Sequence, residues 1–172
     1  MRLLRNIIFF LIGIIGLTLA NISFSYILPF PFQTMNFPFV SFVLIILWRE
    51  TGIVVWFAFF SYFLIELFVD IPFGILLFSS TFAVLFTFWL YQNVFTNKSW
   101  YAAMILGAVS IFLFRTLYVG FLVFAMLFGQ VDPSWSNILT NILWELVLTT
   151  GIIGIVYPFV IPFSHKKKMY IQ

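Results

Sequence analysis

Glu66, Arg115 and Glu145 are ionisable side chains set inside or at the end of long apolar runs, and any chemistry of this 172-residue chain is first sought there. An unpaired charge near the middle of a bilayer costs about 2.5–3.5 kcal/mol even on lenient insertion scales, so such groups are expected to face one another. Counted from the predicted cytoplasmic helix ends, Glu66 lies about 20 Å and Arg115 about 22 Å into the membrane, and Glu145 lies about 16 Å above the inner face. The matching depths predict that Arg115 pairs with Glu66, Glu145 or both. Two outcomes stay open: a polar pocket opening outward, or an ion pair that fixes helix packing.

Glu66 and Asp70 are four residues apart and therefore share a helix face. Paired carboxylates suit proton or cation handling, or acid/base work. Asp70 also opens an Asp-x-Pro-x-Gly stretch with Pro72 and Gly74, which predicts an outer-edge turn in which Asp70 caps the following helix. Other chemistry is sparse. There is no glycine-rich phosphate loop and no helical His-Glu-x-x-His, and the sole histidine, His165, falls in the tail. With no cysteine, disulfides and thiolate metal sites are excluded. Asp70 and Asp132 would both reach the outer face, as in an intramembrane aspartic peptidase such as lipoprotein signal peptidase, but neither sits in the Asn/Asp-rich context of such enzymes. No catalytic set, cofactor or metal is expected.

The elements that must position these residues follow from composition. At 64% hydrophobic and 8% charged, the chain has too little polar surface to cover a soluble globule. The sequence predicts an all-α integral membrane protein, a single bundle of six transmembrane helices over about 7–28, 37–48, 52–70, 73–94, 100–128 and 137–163, with both termini cytoplasmic. Six spans of about 20 residues each leave no room for a soluble domain. Pro29 and Pro31 end helix one, whose basic start also has the look of a signal peptide, and the stretch from Trp48 to Gly74 is expected to organise the rest.

Orientation follows from the basic residues. Arg2, Arg5, Arg49, Lys98 and Lys166 to Lys168, seven of the eight, fall on one side in this arrangement. Arg49, Glu50 and Gly52 then form a cytoplasmic turn, and the lysine tail is a topological anchor within reach of anionic membrane lipids. No nucleic-acid partner is implied. Trp48, Trp100 and Trp135 fall at predicted interfaces. Gly13, Gly16 and Ala20 recur on neighbouring turns and are expected to give a flat face for close helix packing.

The run Asn36-Phe37-Pro38-Phe39-Val40, the segment Trp48-Arg49-Glu50-Thr51-Gly52, and Asp70 followed by Pro72 and Gly74 together resemble the bacterial rod-shape-determining membrane protein family MreD. Pro38, Arg49, Gly52, Asp70, Pro72 and Gly74 carry the likeness, while Phe39 stands where that family commonly has an acidic residue. The resemblance covers the middle third of the chain and extends to the ends by hydropathy. It implies a non-enzymatic scaffold in the bacterial cytoplasmic membrane, placed beside the bitopic protein MreC and the filament MreB to position peptidoglycan synthesis. An alternative of another class is the substrate-binding membrane subunit of an energy-coupling-factor vitamin transporter. That family is also built of six helices, and there a Glu66, Arg115 and Glu145 pocket would capture a small polar ligand.

Overall fold

The computed structural model describes residues 2–49, 51–95, 99–129 and 134–160. Among them the chain is all helical: α1 (Arg2–Ile27), a 3-10 turn η1 (Phe32–Thr34), α2 (Phe37–Arg49), α3 (Ile53–Glu66), α4 (Ile75–Asn93), α5 (Trp100–Leu127) and α6 (Trp135–Val160). Glu50, Lys98, Asp132, His165 and the lysine tail lie outside the described residues.

Four of these helices are long and apolar enough to cross a membrane: α1 from Ile8, α4, α5 and α6. At ~1.5 Å per residue, α2 and α3 extend only about 20 Å, short of a hydrocarbon core of about 30 Å. The expected third helix reached Asp70, but α3 stops at Glu66, and residues 67–74 form turns closed by Phe68 N–H to the Ile65 carbonyl and Val69 N–H to the Glu66 carbonyl. Pro72 denies a continuing helix its amide proton, and Gly74 takes φ +104°, a left-handed conformation that glycine reaches without steric cost.

The centre of the bundle is α2. It packs against all five other α-helices, whereas α3 packs chiefly on α1, α2 and α4 and meets α5 through Tyr62 against Phe114. The stretch expected to organise the fold is thus displaced by the shorter helix before it. The reason is a wide buried face: Pro38, Phe39, Val40, Phe42, Val43, Ile46 and Leu47 of α2 are all buried, spread around about half of the helix. Phe39 lies against Phe114 of α5, ring centroids 4.8 Å apart, and against Tyr62 of α3 at 5.9 Å. A helix apolar all round belongs at the middle of a bundle.

The outer helices show the opposite pattern. Ile8, Phe9, Leu11, Ile12, Ile15 and Leu19 of α1 are exposed, and among the described side chains of that helix only Ile14 and Thr18 are buried. So continuous an apolar surface is untenable in water and fits a multi-pass membrane protein. The packing face expected from Gly13, Gly16 and Ala20 is not the one used. The buried seam of α1 is Ile14 and Thr18, one helical turn apart, so Gly13 meets Phe57 of α3 while Gly16 faces open space and Ala20 is half-buried.

Candidate functional site

The site begins at Asn36, the residue before α2. Its side-chain oxygen accepts the backbone N–H of Phe39 at 3.2 Å, which makes Asn36 the cap of that helix, with Pro38 in the first turn where no amide proton is missed. The same oxygen accepts the Tyr62 hydroxyl at 2.9 Å. The Asn36 backbone N–H donates to Thr149 Oγ1 at 3.2 Å, and its side-chain amide donates to Glu145 Oε1 at 2.8 Å. One residue therefore ties α2 to α3 and α6.

Glu145 is fully buried and uses both carboxylate oxygens. Oε1 accepts from Asn36, and Oε2 is ion-paired with Arg115 Nε across the α5–α6 interface. The arginine side chain keeps 22% of its surface accessible, and its guanidinium carbon lies 5.1 Å from the Phe114 ring centroid and 5.2 Å from that of Tyr118. Only Nε is spent on the glutamate, so the terminal nitrogens have no hydrogen-bond partner among the described residues. A buried carboxylate holding two charge-assisted or polar donors in a dry bundle is satisfied, which is the condition for keeping a charge there.

Glu66 does not join this cluster. Its Oε1 accepts the backbone N–H of Leu76 at 2.8 Å, in the first turn of α4, and no hydrogen bond or ion pair joins it to Arg115. Because α3 ends at Glu66, its carboxylate meets the start of α4, and α3 reaches the cluster through Tyr62 one turn earlier. The capping expected of Asp70 is made by Glu66 instead: Asp70 is exposed, and the cap residue Gly74 has no side chain to offer. Arg49 and Gly52 lie at the far end of the bundle, Arg49 over the Trp48 ring at 5.1 Å and Gly52 opening α3.

Asn36 entered the sequence analysis only as the start of the run that carries the resemblance, and Tyr62 and Thr149 were not among the expected site residues. Asn36 was legible as an asparagine immediately before an apolar run with proline at its second position. Thr149 stands four residues after Glu145, hence on its face of α6.

Above these groups lies a polar cavity of about 330 Å³, walled by the end of α1, by η1 and by α5 and α6. It exists because α2 is short: the bundle interior beyond Asn36 is left to η1 and to polar side chains. Among the described residues no three His, Cys, Asp or Glu come together as a metal site requires.

Comparison with family models, with curated proteins and with solved structures finds no match to this chain. What fold and site define is a class, a membrane protein that is all helical among the described residues and joins Arg115 and Glu145 to Asn36, Tyr62 and Thr149 in one network under a polar cavity.

Proposed function

We propose that the chain is a non-enzymatic membrane scaffold of the bacterial cell-elongation machinery, similar to MreD, which positions peptidoglycan synthesis through contacts with single-span partners. In this reading it crosses the cytoplasmic membrane six times with both termini inside, α2 and α3 completing their spans with the flanking residues 28–36 and 67–74. The carrying observation is where the residues of the resemblance sit. Pro38 opens α2, Arg49 closes it, Gly52 precedes α3, Asp70 and Pro72 lie in the next turn, and Gly74 precedes α4 at positive φ. All lie at or between helix ends, where such a bundle frame would put them.

The exposed side of α1 adds to this support, since only 11% of its most apolar window is buried inside the chain. Such a face meets lipid or another membrane helix. One observation favours the second reading, the solute-binding subunit of an energy-coupling-factor transporter: the polar cavity over Asn36 and Arg115.

Crosslinking of the tagged full chain in native membranes, followed by gentle solubilisation and mass spectrometry, separates the two. The scaffold reading expects a bitopic MreC-like protein with cell-wall synthesis factors. Recovery of an ATPase pair with its coupling subunit would overturn it.

A further inference from the structure

We propose that the cavity over the α2 N-terminus is a binding site for a singly charged oxyanion head, a carboxylate or a phosphodiester, held on the terminal nitrogens of Arg115. The inference rests on the cavity and not on the identity of any partner, so it stands or falls apart from the scaffold reading.

The cavity floor is already committed. Glu145 is held by Arg115 and Asn36, and Asn36 is held by Glu145, Tyr62 and Phe39, so both are fixed in the bundle's own network. Their effect is to fix the guanidinium, leaving its planar terminal edge without a hydrogen-bond partner among the described residues, beside a cavity of about 330 Å³, near the lower end of ligand-sized pockets. Such an edge matches two oxygens of a carboxylate or phosphate in a fork, a geometry a lysine does not supply.

The walls add donors without adding charge. The side-chain amides of Asn21, Gln33 and Asn141 line the cavity. With Arg115 balanced by Glu145, the lining is close to neutral overall. One negative charge is then accommodated by directed N–H groups, whereas a doubly charged phosphate monoester lacks a counter-charge and a cation meets the Arg115 guanidinium.

Two sources supply this chemistry. On the membrane side, α1 and α6 both pack on η1 and scarcely on each other, so a lipid headgroup has a lateral way in. From the aqueous side, a free solute enters over η1.

The test uses the full chain in phosphatidylcholine nanodiscs, with dioctanoyl phosphatidylglycerol as the lipid probe and dimethyl phosphate and acetate as soluble probes. Occupancy is read by native mass spectrometry and by thermal shift. Saturable uptake of phosphatidylglycerol alone assigns the site to a lipid head; a saturable thermal shift with dimethyl phosphate or acetate assigns it to a solute. In either case Arg115→Lys and the double variant Gln33→Leu with Asn141→Leu should each weaken binding by about tenfold or more, the equivalent of one lost charge-assisted hydrogen bond. The double variant spares the Arg115 ion pair, so it decides the matter if Arg115→Lys does not fold. Absence of saturable binding by all three probes, or unchanged binding in the double variant, would overturn the proposal.

Discussion

Glu66, the last residue of α3, accepts the backbone N–H of Leu76 in the first turn of α4, and this bond spans the Asp70-Pro72-Gly74 turn from the inside. The carboxylate is nearly buried and its other oxygen, Oε2, has no partner among the described residues. A helix start leaves four amide protons unsatisfied, and in a membrane interior water does not make up the loss. Glu66 thus holds together the two helices that flank the turn.

Glu66→Leu should therefore lower stability by about 1–2 kcal/mol, the range measured for lost helix caps, while Glu66→Gln, which keeps an acceptor oxygen, should lose little. Asp70→Ala should leave the unfolding midpoint unchanged, because its side chain is exposed. Thermal denaturation of the purified chain in detergent checks all three. A larger loss at Asp70 than at Glu66 would return the cap to Asp70.

Arg115 and Glu145 call for a double-mutant cycle. Removing the arginine alone leaves a fully buried carboxylate without its counter-charge, which for buried pairs costs about 3–5 kcal/mol. Arg115→Met together with Glu145→Leu removes both charges and should unfold at a higher temperature than Arg115→Met alone. Losses that simply add, the double variant losing as much as Arg115→Met and Glu145→Leu do separately, would show that the pair is not coupled.

The sequence made the class and one pairing legible, for a physical reason. Hydrophobic composition and the cost of a charge in hydrocarbon are properties of residue type, so Arg115 and Glu145 could be matched by depth along straight helices. Glu66 defeated the same count. Its predicted helix ran to Asp70, and four missing helical residues turned an interior carboxylate into a helix-end one that meets α4. The primacy of α2 was also hidden, since a helix short for a span looked marginal, and its role depends on contacts with five helices that periodicity does not report.

Asn36 is the joint on which the cluster depends. Tyr62→Phe removes one donor to its side-chain oxygen, which still accepts Phe39 N–H, and should cost about 0.5–1.5 kcal/mol. Asn36→Ala removes the α2 cap, the Tyr62 partner and a donor to Glu145 together, so its loss should exceed that of Tyr62→Phe. Asn36→Asp keeps the cap but sets a carboxylate against Glu145, and it should be less stable than the asparagine. Urea unfolding followed by tryptophan fluorescence ranks the three, and an Asn36→Ala midpoint at or above that of Tyr62→Phe would remove Asn36 from its central place.

The glycines separate turn strain from open surface. Gly74 sits at φ +104°, and a Cβ there would lie 3.3 Å from Phe78 Cε2, so Gly74→Ala should cost about 1–2 kcal/mol from the left-handed conformation alone. Gly16 is in the interior of α1 with nothing within 4 Å of an added Cβ, so Gly16→Ala should leave stability unchanged or raise it by about 0.5–1 kcal/mol. Thermal unfolding of the two variants in detergent should move in opposite directions or, at the least, fall only for Gly74→Ala. The bulkier Gly16→Leu then probes the membrane face: the isolated chain should tolerate it, and a drop in crosslinking to a single-span partner in native membranes would place that partner against α1. Unfolding of the isolated chain by Gly16→Leu would instead make Gly16 a packing residue of this bundle.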